Sequence, residues 1–117
     1  MTGDRSANRR TQRIEILGEL QGEVMAFEPM AITEISRAGA QVETAFPLQI
    51  NSLHNFRLVL GDRSIVVQGR IVHAHVCDVE HEATIYRAGI EFVQPSERIV
   101  EAIGEFMDAI VSARART

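Results

Sequence analysis

The amino-acid sequence predicts a mainly β fold, a small six-stranded antiparallel β-barrel with one C-terminal α-helix. Short segments of alternating apolar and polar residues recur along most of the chain, and turn-forming residues separate them, which is typical of antiparallel strands. Near the end of the chain the apolar residues change to helical spacing. Because closure removes the exposed edges of a sheet, we expect the strands to form a barrel with the helix packed on it.

Three strand candidates form the first half of this barrel. Residues 14–20 alternate weakly, residues 24–35 form a less regular segment that a proline interrupts or bends, and residues 40–44 alternate again. Residues 36–39 form the turn between the last two candidates, and Gly39 is free to take a positive φ there. The last two candidates are therefore predicted to form a hairpin.

A second hairpin and one further strand complete the predicted barrel. Residues 56–60 and 64–76 flank a short Gly-Asp-Arg turn, which is a hairpin pattern. A polar loop over residues 78–82 then leads to the last strand over residues 84–93. Within that strand, Gly89 indicates either a bulge or a close approach of another part of the chain.

The last segment of the chain predicts a helix over about residues 95–113. Ser96 is suited to cap its N-terminus, and a proline precedes it. The residues expected to face the core recur at helical spacing: Ile99, Ile103, Phe106, Met107 and Ile110.

The composition is that of one soluble globular domain. The chain has 117 residues, of which 45% are hydrophobic and 24% charged. It contains no apolar run near the roughly 18 residues that a membrane span requires. The N-terminus lacks the apolar stretch of a secretory signal, and a single cysteine excludes an internal disulfide framework. We therefore expect a cytoplasmic protein without membrane insertion.

The charge distribution divides the chain into two parts. The formal net charge of −4 argues against a DNA- or RNA-binding protein as a whole. Residues 1–13 nevertheless carry four arginines against one acid. We expect these residues to form a flexible arginine-rich arm that meets an anionic partner, ahead of a single domain over residues 14–117.

The arm and the first hairpin carry the strongest motif. Arg9 and Arg13 have RxxxR spacing, and Arg10 stands beside the first of them. Residues 34–39, EISRAG, have the form acid-x-Ser-x-x-Gly. Because alternate residues of a strand share a face, we expect Ile35 in the core and Glu34 and Ser36 facing outward.

In these motifs the chain resembles the PilZ family of bacterial domains. The family pattern has RxxxR on an N-terminal loop, [D/N]xSxxG at a strand–turn–strand, and a late strand with a Gly-x-x-Phe-like element. The matching segments here are residues 9–13, residues 34–39 and residues 89–92, in that order. The resemblance covers nearly the whole chain and includes the terminal helix.

The resemblance implies a receptor that binds cyclic di-GMP, often as a stacked pair of molecules. It implies that Arg9 and Arg13, helped by Arg10, bind phosphates and guanine edges, and that Ser36 and Gly39 hold the ligand against the barrel. Glu34 stands where the family has Asp or Asn, and its carboxylate can still accept guanine N–H bonds. Ligand binding would order the arm and change the surface that an unknown protein partner reads.

Other functions have weaker support in the sequence. The alternative to a receptor is a degenerate PilZ-like adaptor that binds a protein without nucleotide, and the departure at Glu34 motivates it. His73, His75 and Cys77 alternate, with His81 nearby, but their spacing matches no common zinc signature. We find no nucleophile elbow, HExxH or P-loop. We therefore expect no enzyme activity, no metal and no cofactor.

Overall fold

A computed structural model of the chain describes residues 12–17, 20–24, 28–80 and 83–115. Its elements are β1 (Ile14–Glu15), β2 (Gln21–Val24), β3 (Glu28–Ile35), β4 (Gly39–Thr44), β5 (Leu53–Leu60), β6 (Arg63–Glu80), β7 (Ala83–Phe92) and α1 (Glu97–Ala115). The predicted mainly β architecture with a C-terminal helix is confirmed. The helix begins and ends two residues later than expected.

The described strands form one antiparallel sheet in the order β1-β3-β2-β5-β6-β7-β4, and β4 also pairs with β3. The two-residue strand β1 adds to the end of β3, with Ile14 opposite Ile35. Each of the six longer strands therefore has a neighbour on both sides. The sheet curves around a shared interior, but the expected full closure into a barrel is not confirmed.

The β5–β6 hairpin was predicted correctly, but both strands are longer than expected, since β5 begins at Leu53 and β6 ends at Glu80. Leu60 pairs with Arg63 across a two-residue turn, and Gly61 takes a φ of 68°. The first part of β6 pairs with β5, and the second part pairs with β7 as far as Glu80. The polar loop expected over residues 78–82 is therefore wrong for residues 78–80, because backbone pairing with β7 continues as far as Glu80.

The first strand candidate was also only partly right. The expected strand over residues 14–20 ends at Glu15, and the chain re-enters the sheet as β2 at Gln21. Between them, the Ile16 N–H donates to the Thr33 carbonyl, and the Ile32 N–H donates to the Leu20 carbonyl, both at 3.0 Å. Both described segments, residues 14–16 and 20–24, are therefore bonded to β3.

The interior of the rolled sheet is apolar and is covered by α1. Ile35, Phe56, Leu58 and Ile71 are fully buried. Of the predicted core residues of the helix, Ile103 and Met107 are buried, as are Ala102 and Gly104 beside them. The remaining predicted core residues are half-buried: Ile99, Phe106 and Ile110. Burying a side chain of this size contributes about 1.5–3 kcal/mol, so the helix is an integral part of the domain.

Polar contacts fix both the start and the length of α1. The Ile99 N–H donates to the Ser96 Oγ at 3.3 Å, which confirms the predicted N-cap. Along the helix, Glu105 pairs with Arg63 at 2.6 Å, and near the C-terminus Arg114 donates to the Glu15 carbonyl. The described helix is not long and apolar enough to cross a membrane.

Candidate ligand-binding site

The turn between β3 and β4 is built around the Ser36 hydroxyl. Its oxygen accepts the N–H groups of Ala38 and Gly39, each at 3.1 Å, and its hydrogen is directed to the Gly39 carbonyl at 3.3 Å. A hydroxyl has one donor and two acceptor positions, and all three are occupied. Ser36 is only 2% exposed. It therefore fixes the shape of the turn and has no hydrogen-bonding capacity left for a ligand.

This placement corrects the expectation that Ser36 faces outward beside Glu34. Ile35 is fully buried, as expected, but it is the last residue of β3. The alternation of faces therefore stops before Ser36, which turns inward to bond its own loop.

Gly39 is required for close packing and not for an unusual φ. Among the described residues, the glycine with a positive φ is Gly61, so the expectation for Gly39 is wrong. Instead, a Cβ on Gly39 would lie 2.1 Å from the Ile90 carbonyl oxygen of β7. Only a residue without a side chain lets β4 approach β7 this closely.

The structure brings Arg13 and Glu34 together on the outer surface. β1 pairs with the end of β3, with Glu15 opposite Glu34, and this pairing carries Arg13 to the site. The Arg13 Nη1 lies 3.8 Å from the Glu34 Oε1, and the two side chains are 64% and 39% exposed. Both groups are accessible, and the pair is held loosely. Arg9 and Arg10 lie outside the described residues.

Glu34 begins a row of residues that crosses the outer face of the sheet. Gln41 of β4 lies opposite Glu34, Gly89 of β7 lies opposite Gln41, and His73 of β6 lies opposite Gly89. The pairing of β3 with β4 shifts register between Ile32 and Glu34, a bulge that changes how the end of β3 presents its side chains. We call Glu34, Gln41, Gly89 and His73 the cross-strand row.

Two ion pairs border this row. On one side Arg70 pairs with Glu91 at 3.1 Å. On the other side Arg87 donates to the Glu43 Oε2 from Nη2 at 2.6 Å and from Nε at 3.2 Å. The hydrogen bond to Glu43 raises the pKa of Arg87 above its ordinary value, and partial desolvation acts in the opposite direction. Arg70 and Arg87 therefore place two fixed cations beside the row.

Sequence reasoning missed most of these residues. Gln41, Arg70 and Arg87 belong to no motif, and Glu91 occupies only a variable position of the Gly-x-x-Phe-like element. These residues come together because β4, β6 and β7 pair in this register. Alternation within a strand shows which residues share a face, but it does not show which residue of the next strand lies opposite. Gly89 was the available signal, because a glycine inside a strand often marks a close approach.

The histidines and the cysteine of β6 do not assemble into a metal centre. The His73 and His75 rings are near-parallel with centroids 6.2 Å apart, and the Cys77 Sγ lies 3.9 Å from the Glu43 Oε2. Within the described ranges, no group of three or more His, Cys, Asp or Glu side chains is placed to hold an ion. His81 lies outside those ranges.

Comparison with protein families now identifies the domain. A model of the family described as "PilZ domain" matches residues 4–109. The chain belongs to the PilZ family. A comparison with curated proteins finds no match.

Solved PilZ structures share this fold at low sequence identity. The MrkH–c-di-GMP complex from K. pneumonia has a TM-score of 0.71 at 20% identity, covering 93% of this chain and 55% of that one. The inhibitor of motility MotI/DgrA from Bacillus subtilis has a TM-score of 0.69 at 15% identity, covering 92% and 53%. The PilZ domain of YcgR from Escherichia coli with c-di-GMP has a TM-score of 0.67 at 17% identity, covering 92% and 94%.

The chain spans about half the length of MrkH and MotI/DgrA but nearly all of the YcgR domain.

Proposed function

We propose that this PilZ chain is a bacterial receptor that binds cyclic di-GMP on the outer face of β3 and β4 and thereby regulates a partner protein. The observation that supports this proposal most strongly is that Arg13 and Glu34 form an exposed pair beside the buried Ser36–Gly39 turn. MrkH and the YcgR domain, which share the fold, are described in complex with c-di-GMP. We expect the receptor to act in the cytoplasm and to regulate motility, biofilm formation or other surface behaviour.

Arginine chemistry suits the proposed ligand. A guanidinium group forms two parallel charge-assisted bonds to a phosphate or to guanine O6 and N7, and it can stack on a base. Arg13 supplies such a group at the edge of the site, and we assign Arg9 and Arg10 of the arm to the same task. Arg70 and Arg87 add positive charge beside the cross-strand row, although each already holds a carboxylate.

Glu34 has the right chemistry for a guanine edge. Its carboxylate accepts N–H bonds, and guanine presents N1–H and N2–H donors on one edge. The existing contact with Arg13 is long and exposed, and such pairs contribute about 0–1 kcal/mol. A ligand can therefore take over both partners at little cost, so the longer side chain of Glu34 is compatible with binding.

Arg37 gives the turn a direct connection to the helix. It lies between Ser36 and Gly39, and its side chain is 20% exposed. Its guanidinium packs against Gly104 of α1, where a Cβ would lie 2.6 Å from the Arg37 Nη2. Asp108 lies 3.9 Å away. A change in the turn on ligand binding therefore reaches α1, which supplies a surface for the partner.

Calorimetric titration with cyclic di-GMP tests the proposal. We expect saturable binding by the wild type and a loss of about 10- to 150-fold in Arg13→Ala, because hydrogen bonds to charged groups contribute about 1.5–3 kcal/mol. Arg98→Ala is the matched control, since Arg98 is an exposed arginine at the start of α1, outside the site. Absence of binding by the wild type at high micromolar ligand would reject the receptor function.

That negative result would favour the alternative, a PilZ-like adaptor without nucleotide. The observation behind it is that Glu34 replaces the family's Asp or Asn and already contacts Arg13. The adaptor predicts partner capture that added nucleotide does not change, whereas the receptor predicts nucleotide-dependent capture.

A further inference from the structure

Two open grooves lie beside α1, one at each end of the helix. The first, of about 470 Å³, lies between the start of α1 and the start of β6. The second, of about 360 Å³, lies between the end of α1 and the chain segments next to β1 and β2. Neither groove includes a residue of the candidate ligand-binding site on the outer face of β3 and β4.

The helix side of both grooves belongs to one stripe of α1. Its residues follow one another at intervals of three, four, four and three positions: Ile99, Ala102, Phe106, Ile110 and Ala113. This spacing places them on one flank of a helix. At 1.5 Å per residue the stripe is roughly 21 Å long. The two grooves therefore follow the same flank of α1, and we call them together the α1 groove.

The walls of the α1 groove carry exposed apolar side chains. Leu17, opposite the end of the helix, is 72% exposed, the largest value for a large apolar residue in the described part of the chain. Val66, opposite the start of the helix, is exposed, and Phe106 and Ile110 are only half-buried. Accessible apolar groups that line a groove with polar edges are typical of a protein-binding site.

The charged residues of the α1 groove have one sign. Among the described residues that line it, Arg63, Arg98 and Arg114 are basic and none is acidic. Arg63 holds Glu105 at 2.6 Å, and Arg114 donates to a backbone carbonyl. Arg98 is exposed and has no ion-pair partner in the ranges that the structure describes. In a chain of net charge −4 this local excess of arginine favours an acidic occupant.

The ends of this chain do not have the composition of such an occupant. Residues 1–11, MTGDRSANRRT, carry three arginines against one acid and contain one large apolar residue. Residues 116–117 are Arg-Thr. Because these segments are basic and polar, they match neither the charge nor the apolar walls of the α1 groove.

We propose that the α1 groove is the docking site for an acidic amphipathic helix of the partner protein. This inference deepens the proposed function by naming the class of partner, and its link to the nucleotide rests on that function. A helix of about four turns matches the length of the stripe, with apolar residues at intervals of three and four against it and a carboxylate near Arg98. Arg37 contacts α1 at Gly104, outside the stripe, so the connection to the turn and the docking site use different sides of the helix.

The test uses two synthetic peptides of about 15 residues that have the same stripe of leucines and differ only in their other positions, Glu or Lys. Each is titrated without nucleotide into the ¹⁵N-labelled protein and followed by NMR. We expect saturable shifts with the Glu peptide at the amides of Leu17, Ala102 and Ala113. We expect the Lys peptide to bind at least about tenfold more weakly.

Two variants test the two components of the site. Arg98→Glu should weaken binding of the Glu peptide about fivefold and strengthen binding of the Lys peptide, because the charge at the end of the groove is reversed. Leu17→Ser should weaken binding of both peptides by removing an apolar wall. Leu53→Ser is the control, since Leu53 is 54% exposed on β5 outside the groove, and it should bind both peptides like the wild type.

The possible failures are distinguishable from failure of the proposed function. Shifts centred elsewhere, or no shifts at millimolar peptide, would overturn the docking site, and equal affinity for both peptides would overturn its acidic preference. Calorimetric titration of the same preparation with cyclic di-GMP tests the receptor function separately, and its failure with intact peptide binding would reject the receptor alone. A dimer in sedimentation experiments that Leu17→Ser dissociates would assign the groove to a second copy of the chain and overturn the partner helix.

Discussion

Two parts of the candidate site behave differently in this structure. The Ser36–Gly39 turn is buried and its polar groups are mutually bonded, whereas Glu34 and Arg13 next to it are exposed and loosely paired. The first part has no free bonding capacity, and the second has accessible charged groups. The motif therefore combines residues that build the site with residues that are available to contact a ligand.

This difference shows that a family motif cannot be read as a list of ligand contacts. Ser36 acts on a ligand only through the shape of the turn, and Gly39 acts only through the close approach of β4 to β7. Arg13 contributes little to the fold, because its side chain is mostly exposed. Variants that separate stability from affinity test this division.

The largest effect is expected for Gly39→Ala. The new Cβ would meet the Ile90 carbonyl, which is backbone and cannot move aside without disturbing the pairing of β4 with β7. We expect a loss of about 3 kcal/mol in the free energy of unfolding, measured by urea denaturation. Gly89→Ala is the control, because the atoms nearest to its Cβ belong to the exposed His73 side chain and not to the backbone. Equal losses in both variants would contradict this explanation.

The second effect concerns Arg13→Ala and affinity. We expect affinity for cyclic di-GMP to fall by about 1.5–3 kcal/mol while the free energy of unfolding changes by less than about 0.5 kcal/mol. Calorimetric titration and urea denaturation of the same preparation measure the two quantities. A large loss of stability would place Arg13 among the residues that build the site. It would contradict the division between residues that build the site and residues that contact the ligand.

Ser36→Ala should lose stability but keep most of its affinity for the ligand, unlike Arg13→Ala. Removing the hydroxyl leaves the N–H groups of Ala38 and Gly39 without their acceptor, which we expect to cost about 2 kcal/mol in the free energy of unfolding. Ser64→Ala, at an exposed serine of β6, is the control. At temperatures where the variant is fully folded, affinity should change by less than about threefold. A hundredfold loss of affinity there would indicate direct contact with the ligand.

The smallest effect is expected for Arg37→Ala. Its ion pair with Asp108 is long and its partner is 79% exposed, so most of its contribution comes from packing against Gly104. We expect a loss of about 1 kcal/mol in the free energy of unfolding relative to Arg98→Ala. If Arg37 connects the turn to α1, nucleotide-dependent partner capture should weaken more than nucleotide binding does.

Much of the fold could be predicted because its signals are local. Alternation identified β4, a Gly-Asp-Arg segment identified the β5–β6 hairpin, and helical spacing with Ser96 identified α1. The errors in the predicted strand bounds occur where pairing with a neighbouring strand decides the structure and the local amino-acid composition does not. β6 continues through Asp78 because β7 lies beside it, and the first candidate breaks after Glu15 because β3 accepts two separate strands.

Only those residues of the candidate site that belong to a motif could be predicted from the sequence. Arg13 and Glu34 lie together as the motif suggests, but the burial of Ser36 depends on where β3 ends. The neighbours of His73 could not be inferred from its own strand, where it resembled part of a metal site. They depend on the sheet register, which places Gly89 directly opposite His73 although it is 16 positions further along the chain.

The most direct test of the account is a titration of the ¹⁵N-labelled protein with cyclic di-GMP, followed residue by residue by NMR. We expect saturable shifts of backbone amides at Arg13, Glu34, Gln41 and Gly89, with little change at the β5–β6 turn around Asp62. Arg13→Ala should abolish these shifts at the same ligand concentration. Shifts centred on the β5–β6 turn, or no shifts at all, would contradict a ligand site on the outer face of β3, β4 and β7.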